Sequence, residues 1–377
     1  MDQSRRRFLE LFPGAALAAW LPSLAEAASD VGAAVPFLGE GSFPLERTVG
    51  LGLGRRRALD LSTLSRGSLL VPSDRFFIRT ASPDRLPDAA SWKVRVAGLV
   101  EAPLDIPIDS LRREAEDQGV QLLECAGNSR AAHFGLMSAA RFSGVRLGRV
   151  LERVRALPRA THVLVSGFDE HATLDPGSVS GASWIFTLDQ IRESGAFLAT
   201  EMNGAPLRAD HGFPVRLVVP GWYACAAIKW VNEIVLLADD APATDHMREY
   251  AGRTHQDPEA PLARDFQPAT IDPAAVPVRV ERGAKGDGRA EYRIDGVLWG
   301  GTSRPRALSI RLNPGQAFVP VQEIGADGPE PWTLWSHNVR SLEPGRYRIE
   351  LAIREGSVRT RRLDAGFYAR EIQIPGG

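Results

Sequence analysis

Two short stretches of the chain hold side chains able to do chemistry. In the first, Leu122-Leu123-Glu124-Cys125-Ala126-Gly127-Asn128-Ser129-Arg130, an apolar run ends on a cysteine and a small-residue turn delivers an arginine. The reactive form of cysteine is the thiolate, which is both a nucleophile and a soft metal ligand. Arginine is a permanent planar cation suited to oxyanions. The pair fits a nucleophile, or a metal ligand, that meets an anionic substrate. A nucleophilic cysteine needs a base close in space; His133 is near in sequence, yet no cysteine-protease signature surrounds Cys125. One thiolate is too few for a protein-built zinc or copper site, but it suffices if a cofactor carries the other ligands. The second stretch is Asp210-His211-Gly212-Phe213-Pro214-Val215-Arg216, followed by Gly221-Trp222-Tyr223 and Ile228-Lys229-Trp230. Cationic and proton-donating groups at neighbouring strand ends can hold a phosphate by charge-assisted hydrogen bonds. They can equally be a capped strand start with surface charges.

These residues need strands and short helices to position them. Trp92-Lys93-Val94-Arg95-Val96 alternates as a half-buried strand does, and so does Leu104 to Ile108, where Pro107 marks an edge. A charged helix is expected from Leu111 to about Glu116, then the Gln121-Leu122-Leu123 strand that ends at Cys125. Leu147, Val150, Leu151 and Val154 fall on one helical face. Thr161 to Ser166 reads as a strand, and Thr187-Leu188-Asp189-Gln190 has capping-box spacing. Pro214 to Val219 and Ile228 to Leu237 read as buried strands. Without a repeating βαβ rhythm the pattern is α+β. From Val278 to Ile353, short strand-like runs separated by turn residues favour a β-sandwich.

The length of 377 residues favours two domains, and a net charge of -1 offers no support for nucleic-acid binding. Ser4-Arg5-Arg6-Arg7-Phe8-Leu9 precedes an alanine-rich apolar run and an Ala25-Glu26-Ala27 cleavage site. Residues 1–28 resemble a twin-arginine export signal, which implies a folded protein delivered to the periplasm with its cofactor in place. No later segment is suited to spanning a membrane. Residues 29–69 read as an extended arm, 70–245 as a catalytic domain, 246–275 as a Pro/Ala/Asp-rich linker and 276–377 as the sandwich. Cys125 and Cys225 are the two cysteines and could form one disulfide in an oxidising compartment. A Cys-x-x-Cys-His haem site is absent.

Cys125-Ala126-Gly127-Asn128-Ser129-Arg130 resembles the Cys-Ala-Gly-Asn-x-Arg motif of the sulfite oxidase family of molybdenum enzymes. Phe76-Phe77-Ile78-Arg79, Glu201-Met202-Asn203-Gly204, Asp210 to Arg216 and Ile228-Lys229-Trp230 are similar to further motifs of that family, in the same order. The resemblance covers about residues 70 to 240; the C-terminal part is similar, more loosely, to the family's immunoglobulin-like dimerisation domain. It implies a molybdenum-pterin cofactor with Cys125 as the protein thiolate on the metal. It also implies that His211, Arg216 and Lys229 hold the pterin and its phosphate. Main chain around Phe77, Ile78, Ala227 and Ile228 would help, as would Asp169, while Arg79 and Arg130 would line the substrate pocket. The activity implied is oxygen-atom transfer, with sulfite oxidation leading and electrons passing to a separate cytochrome c-type partner. A homodimer is a further implication.

The chain departs from the family at three places. Val179-Ser180-Gly181-Ala182-Ser183 lacks a tyrosine expected there, the tryptophan loop is shortened to His133-Phe134-Gly135, and Glu330-Pro331 stands where an arginine should precede Trp332-Thr333-Leu334-Trp335. His133, Trp184 or Trp222 could line the altered pocket or simply pack, and Cys225 is expected as a buried thiol near the pterin loop. A sulfoxide reductase of the same cofactor class is the nearest rival. A cofactor-free secreted binding protein with a Cys125–Cys225 disulfide is the rival of another class, with a thiol hydrolase behind it.

Overall fold

In the computed structural model, the described residues are 32–79, 86–168, 182–284, 290–301, 305, 307–325, 330–355 and 358–376. The signal-like segment 1–28 and Asp169 lie outside them. Among the described residues there are four five-stranded sheets and a few short helices, so the α+β expectation is met in its mixed-sheet form.

One sheet runs in the order Leu104–Pro107, Lys93–Gly98, Val231–Leu237, His162–Gly167, Ser183–Thr187. Its only parallel pairing joins Lys93–Gly98 to Val231–Leu237. The helix expected from Leu111 is Ile108–Arg113 instead, because Pro107 supplies an extended N-cap at φ -63°. Thr187 makes the expected capping box: its hydroxyl accepts from the Gln190 backbone N–H, and the Gln190 side chain accepts from Thr187 N–H.

A second, antiparallel sheet carries Cys125. It runs Ala205–Pro206, Phe197–Met202, Met137–Arg146, Glu116–Glu124, with Arg216–Val218 also on Phe197–Met202. Both faces of this sheet are buried. Phe197 and Ala199 pack into one core while Leu198 between them packs into the other. Side chains alternate across a strand, so a sheet wedged between two apolar layers reads as a continuous apolar run. That explains why Phe197–Met202 and Met137–Arg146 gave no alternating signal.

The C-terminal strands form two antiparallel sheets. One runs Ala33–Ala34, Ala274–Ala284, Ala290–Trp299, Trp332–Arg340, Glu323–Ile324; the other runs Val319–Pro320, Leu308–Arg311, Gly345–Ile353, Arg370–Ile374, Phe37–Leu38. The segment read as an arm thus adds a strand to the edge of each. Their apolar faces share a core with Leu122, Leu123, Phe134 and Phe142, so the Cys125 strand packs directly on them. Each fully buried large side chain there contributes about 1.5–3 kcal/mol by leaving water. The segment read as a linker opens with a helix, Asp245–Ala251, capped by the Thr244 hydroxyl on Met247 N–H.

Candidate active site

Cys125 follows the last residue of the Glu116–Glu124 strand, in the loop that returns to Met137–Arg146. Backbone bonds close this loop: Cys125 N–H donates to Leu136 (2.9 Å) and Asn128 N–H donates to Cys125 (2.9 Å). The buried Asn128 side chain braces it, accepting from Leu136 N–H (3.0 Å) and donating to Glu124 (3.3 Å). The tight turn aims the Gly127 N–H at Cys125 Sγ, 3.4 Å away. Burial pushes the thiol pKa up, while that N–H and the Arg79 guanidinium oppose the rise. Both cysteines are free, so the disulfide alternative is not formed. Cys225 is half-buried and its thiol is pushed up by burial and by Cys125.

His211, on the short turn Ala209–His211, Arg216, at the start of the Arg216–Val218 strand, and Lys229, just before the Val231–Leu237 strand, come together. His211 is 1 % exposed, packs edge-on against Phe76, and its Nε2 lies 3.0 Å from the Ser73 carbonyl. A carbonyl only accepts, so Nε2 carries the proton and Nδ1 is left as an acceptor. Burial, then the charge of Lys229, lowers its pKa to about 3, so the ring is neutral. Arg216, 3 % exposed, donates from Nη1 to the His211 carbonyl (3.1 Å) and from Nη2 to that of Ala227 (3.2 Å). Its Nε is buried without a partner, and burial lowers its pKa to about 10. Lys229 Nζ donates to the Asp210 carbonyl at 2.6 Å, and burial, then Arg216, lowers its pKa to about 7. Gly212, at φ 104°, allows this convergence: a Cβ there would lie 3.0 Å from Arg216 Cβ and 3.2 Å from Lys229 Cβ.

The other expected residues fall into place unevenly. Phe77 and Ile78 are buried, with their N–H groups donated to Ser138 Oγ (3.1 Å) and the Arg57 carbonyl (3.0 Å). Ala227 and Ile228 are buried beside Arg216 and Lys229. Arg79 is exposed, and its charge bears on both Cys125 and Lys229. Arg130 turns instead toward the C-terminal sheets and donates to the Ala369 carbonyl. Of the residues considered for the altered pocket, His133 sits 3.4 Å from Glu40, while Trp184 and Trp222 are buried packing residues.

Sequence reasoning missed several neighbours of Cys125. Glu124 is fully buried and its carboxyl accepts from Trp299 Nε1 at 2.8 Å; burial raises its pKa. Arg362, from the helix Arg361–Asp364, donates to the carbonyls of Ala126 (2.8 Å) and Arg253, and lies over the Tyr223 ring at 4.7 Å. Arg253 reaches Gly127 from the turn after Asp245–Ala251 and stacks over Tyr250 at 5.4 Å. Nothing local in Gly252-Arg253-Thr254 or Arg361-Arg362 announces this, because the contacts arise only when distant segments pack.

Residues 81–244 match the family model described as the oxidoreductase molybdopterin binding domain. The chain is 29% identical over 304 residues to sulfite oxidase of Gallus gallus, covering 72% of this chain and 63% of that one. It is 27% identical over 288 residues to mitochondrial sulfite oxidase of Homo sapiens (71% and 52% covered). It is also 29% identical over 209 residues to the NADPH nitrate reductase of Emericella nidulans (51% and 23%). The chain is similar to the sulfite oxidase family of molybdopterin-dependent oxidoreductases, and residues 81–244 carry the molybdopterin-binding part of that likeness. It spans about half the length of the mitochondrial sulfite oxidases it matches. Sulfane dehydrogenase SoxCD from Paracoccus pantotrophus shares the fold, with a TM-score of 0.62 at 19% identity over 92% of this chain and 86% of that one.

The site's residues fit the family's cofactor. Arg216, Lys229 and Arg79 bring positive charge together, and Arg216 and Lys229 donate to backbone carbonyls. A buried Nε–H without an acceptor and a lysine pressed down to about 7 are what a phosphate-bearing group would relieve. Among the described residues no three His, Cys, Asp or Glu side chains gather as a metal site, whereas Cys125 stands beside the cationic cradle.

Proposed function

We propose that this protein oxidises sulfite to sulfate at a molybdenum-pterin centre. In this reading Cys125 is the protein's thiolate ligand, and His211, Arg216 and Lys229 hold the pterin and its phosphate. Phe77, Ile78, Ala227 and Ile228 wall the cofactor, with Asp169 beside it, and Arg79 lines the substrate pocket. When bound, the cofactor supplies a soft, sulfur-ligated metal able to cycle by two electrons. The chain's own part is electrostatic. The Gly127 N–H holds charge on Cys125, and the neutral His211 donates from Nε2 and presents a free acceptor at Nδ1. Unpaired guanidinium charge near Cys125 draws in a small oxyanion and stabilises charge built up on it in the transition state. Water supplies the oxygen, its protons go to solvent, and electrons leave singly to a separate c-type cytochrome. Export to the periplasm, and an immunoglobulin-like sandwich of residues 276–377 that pairs two copies, complete the proposal.

The observation that supports it most is the meeting of Cys125 with Arg79 and Lys229, whose charges act on one another. One observation favours sulfoxide reduction as a second reading: Arg130 is committed to Ala369, which leaves fewer cations for an oxyanion. Steady-state assays in both directions test the pair. Sulfite-dependent reduction of ferricyanide or cytochrome c, without oxidation of reduced viologen by methionine sulfoxide, is the expected result. Sulfoxide turnover without sulfite turnover would overturn the leading reading.

A further inference from the structure

We propose that Arg253 is the second cationic arm of the oxyanion pocket, gripping substrate together with Arg79 in place of the arginine missing before Trp332. The inference rests on the reading above that an oxyanion meets the centre at Cys125. A Cβ on Gly127 would lie 3.6 Å from Arg253 Nη1 and 3.8 Å from Cys125 Sγ. The guanidinium and the sulfur are therefore no further apart than those two distances laid end to end, with only a glycine between them. A tetrahedral oxyanion spans a gap of that size while accepting N–H bonds of about 2.9 Å.

Arg253 is held in position but keeps its donors free. Its carbonyl accepts from Arg362, which also binds the Ala126 carbonyl, so one side chain ties the Arg253 turn to the Cys125 loop. Its guanidinium lies over the Tyr250 ring, which fixes its plane. It makes no ion pair or side-chain hydrogen bond within the described residues, unlike Arg248 on the preceding helix, which pairs with Asp245 at 3.4 Å. Arg130, by contrast, is already bonded to Ala369. An exposed fork of N–H donors aimed past a glycine at the metal-ligating sulfur suits bidentate capture of sulfite or sulfate. Arg253 also lies outside the stretch matched by the family model.

The test is calorimetric titration of the holoenzyme with sulfate, which binds without turnover, beside steady-state sulfite kinetics. Arg253→Gln should weaken sulfate binding about tenfold or more and raise KM for sulfite far more than it lowers kcat. Arg253→Lys should recover part of the affinity, and Arg248→Gln should leave it unchanged. Molybdenum content and circular dichroism monitor loading and folding. Sulfate affinity unchanged in a fully loaded Arg253→Gln enzyme would overturn the proposal, as would a wild-type enzyme that binds no sulfate. If the glutamine variant does not fold, a lysine variant with undiminished affinity would overturn the forked grip. Sulfate binding that depends on Arg253 in an enzyme that does not oxidise sulfite would sink the oxidation reading and leave this one standing.

Discussion

Burial holds the pKa values of His211 and Lys229 below their ordinary values, and the sign of each shift sets a pH dependence. The pKa of His211 is about 3, below its ordinary value. Between roughly 6.5 and 3 the unfolded chain binds the proton that the folded chain excludes, so the stability is present above that window and is lost as pH falls through it. Lys229 is lowered to about 7, so in cofactor-free protein stability falls as pH drops from roughly 10.5 to 7. A bound phosphate group would restore the lysine's charge and flatten the second window. Urea midpoints measured at stepped pH on cofactor-free and loaded protein check both. His211→Gln should remove the acid-side loss and Lys229→Met the alkaline-side one; equal alkaline slopes with and without cofactor would contradict the cradle. These residues were legible in the sequence because each stands in a short motif that resembles one of the sulfite oxidase family; their types and spacing alone fit a capped strand start equally well. Arg253 and Arg362 were not, because only tertiary packing carries them to the Cys125 loop.

The Cys125 loop is braced by an element from the far part of the chain. Trp299, the last residue of Ala290–Trp299, donates to Glu124, which also bonds Asn128 in the loop itself and Tyr368. Trp299→Phe would strip a fully buried carboxyl of its best donor, at a cost of about 1–3 kcal/mol. The expected outcome is a lowered urea midpoint with an unchanged m-value. No change in midpoint would show that the brace is dispensable. Strand assignment from sequence followed the same physics. Lys93–Gly98 alternates, pairs with one face buried, and was readable. Phe197–Met202 is buried on both faces and offers no period. Ala33–Ala34 and Phe37–Leu38 are too short to carry a pattern, and their pairing with Ala274–Ala284 and Arg370–Ile374 is a tertiary fact. The Asp245–Ala251 helix was hidden by the Pro/Ala/Asp composition around it, although Thr244 caps it as a helix start should be capped.

At the scale of the whole molecule, a chain with a net charge of -1 gathers Arg79, Arg216, Lys229 and Arg253 around one cysteine. Arg56 belongs to the same field: its pKa is lowered first by Arg79 and then by burial. Concentrating one sign of charge in a neutral molecule draws small anions to that place without making the surface generally sticky. The sheet that carries Cys125 is wedged between two cores, and the C-terminal sheets return Trp299, Arg362 and Ala369 to its loop, so the site is built by both halves of the chain. The central claim is that this site holds a molybdenum centre, ligated by Cys125, that takes electrons from sulfite. Anaerobic titration of the metal-loaded protein with sulfite, followed by absorption and EPR spectra, tests it most directly. The account predicts that sulfite changes the spectrum of the wild-type centre, and that Cys125→Ser lacks both the wild-type spectrum and the response. A fully loaded wild-type protein whose spectrum sulfite leaves unaltered, or a Cys125→Ser protein that responds as wild type does, would contradict it.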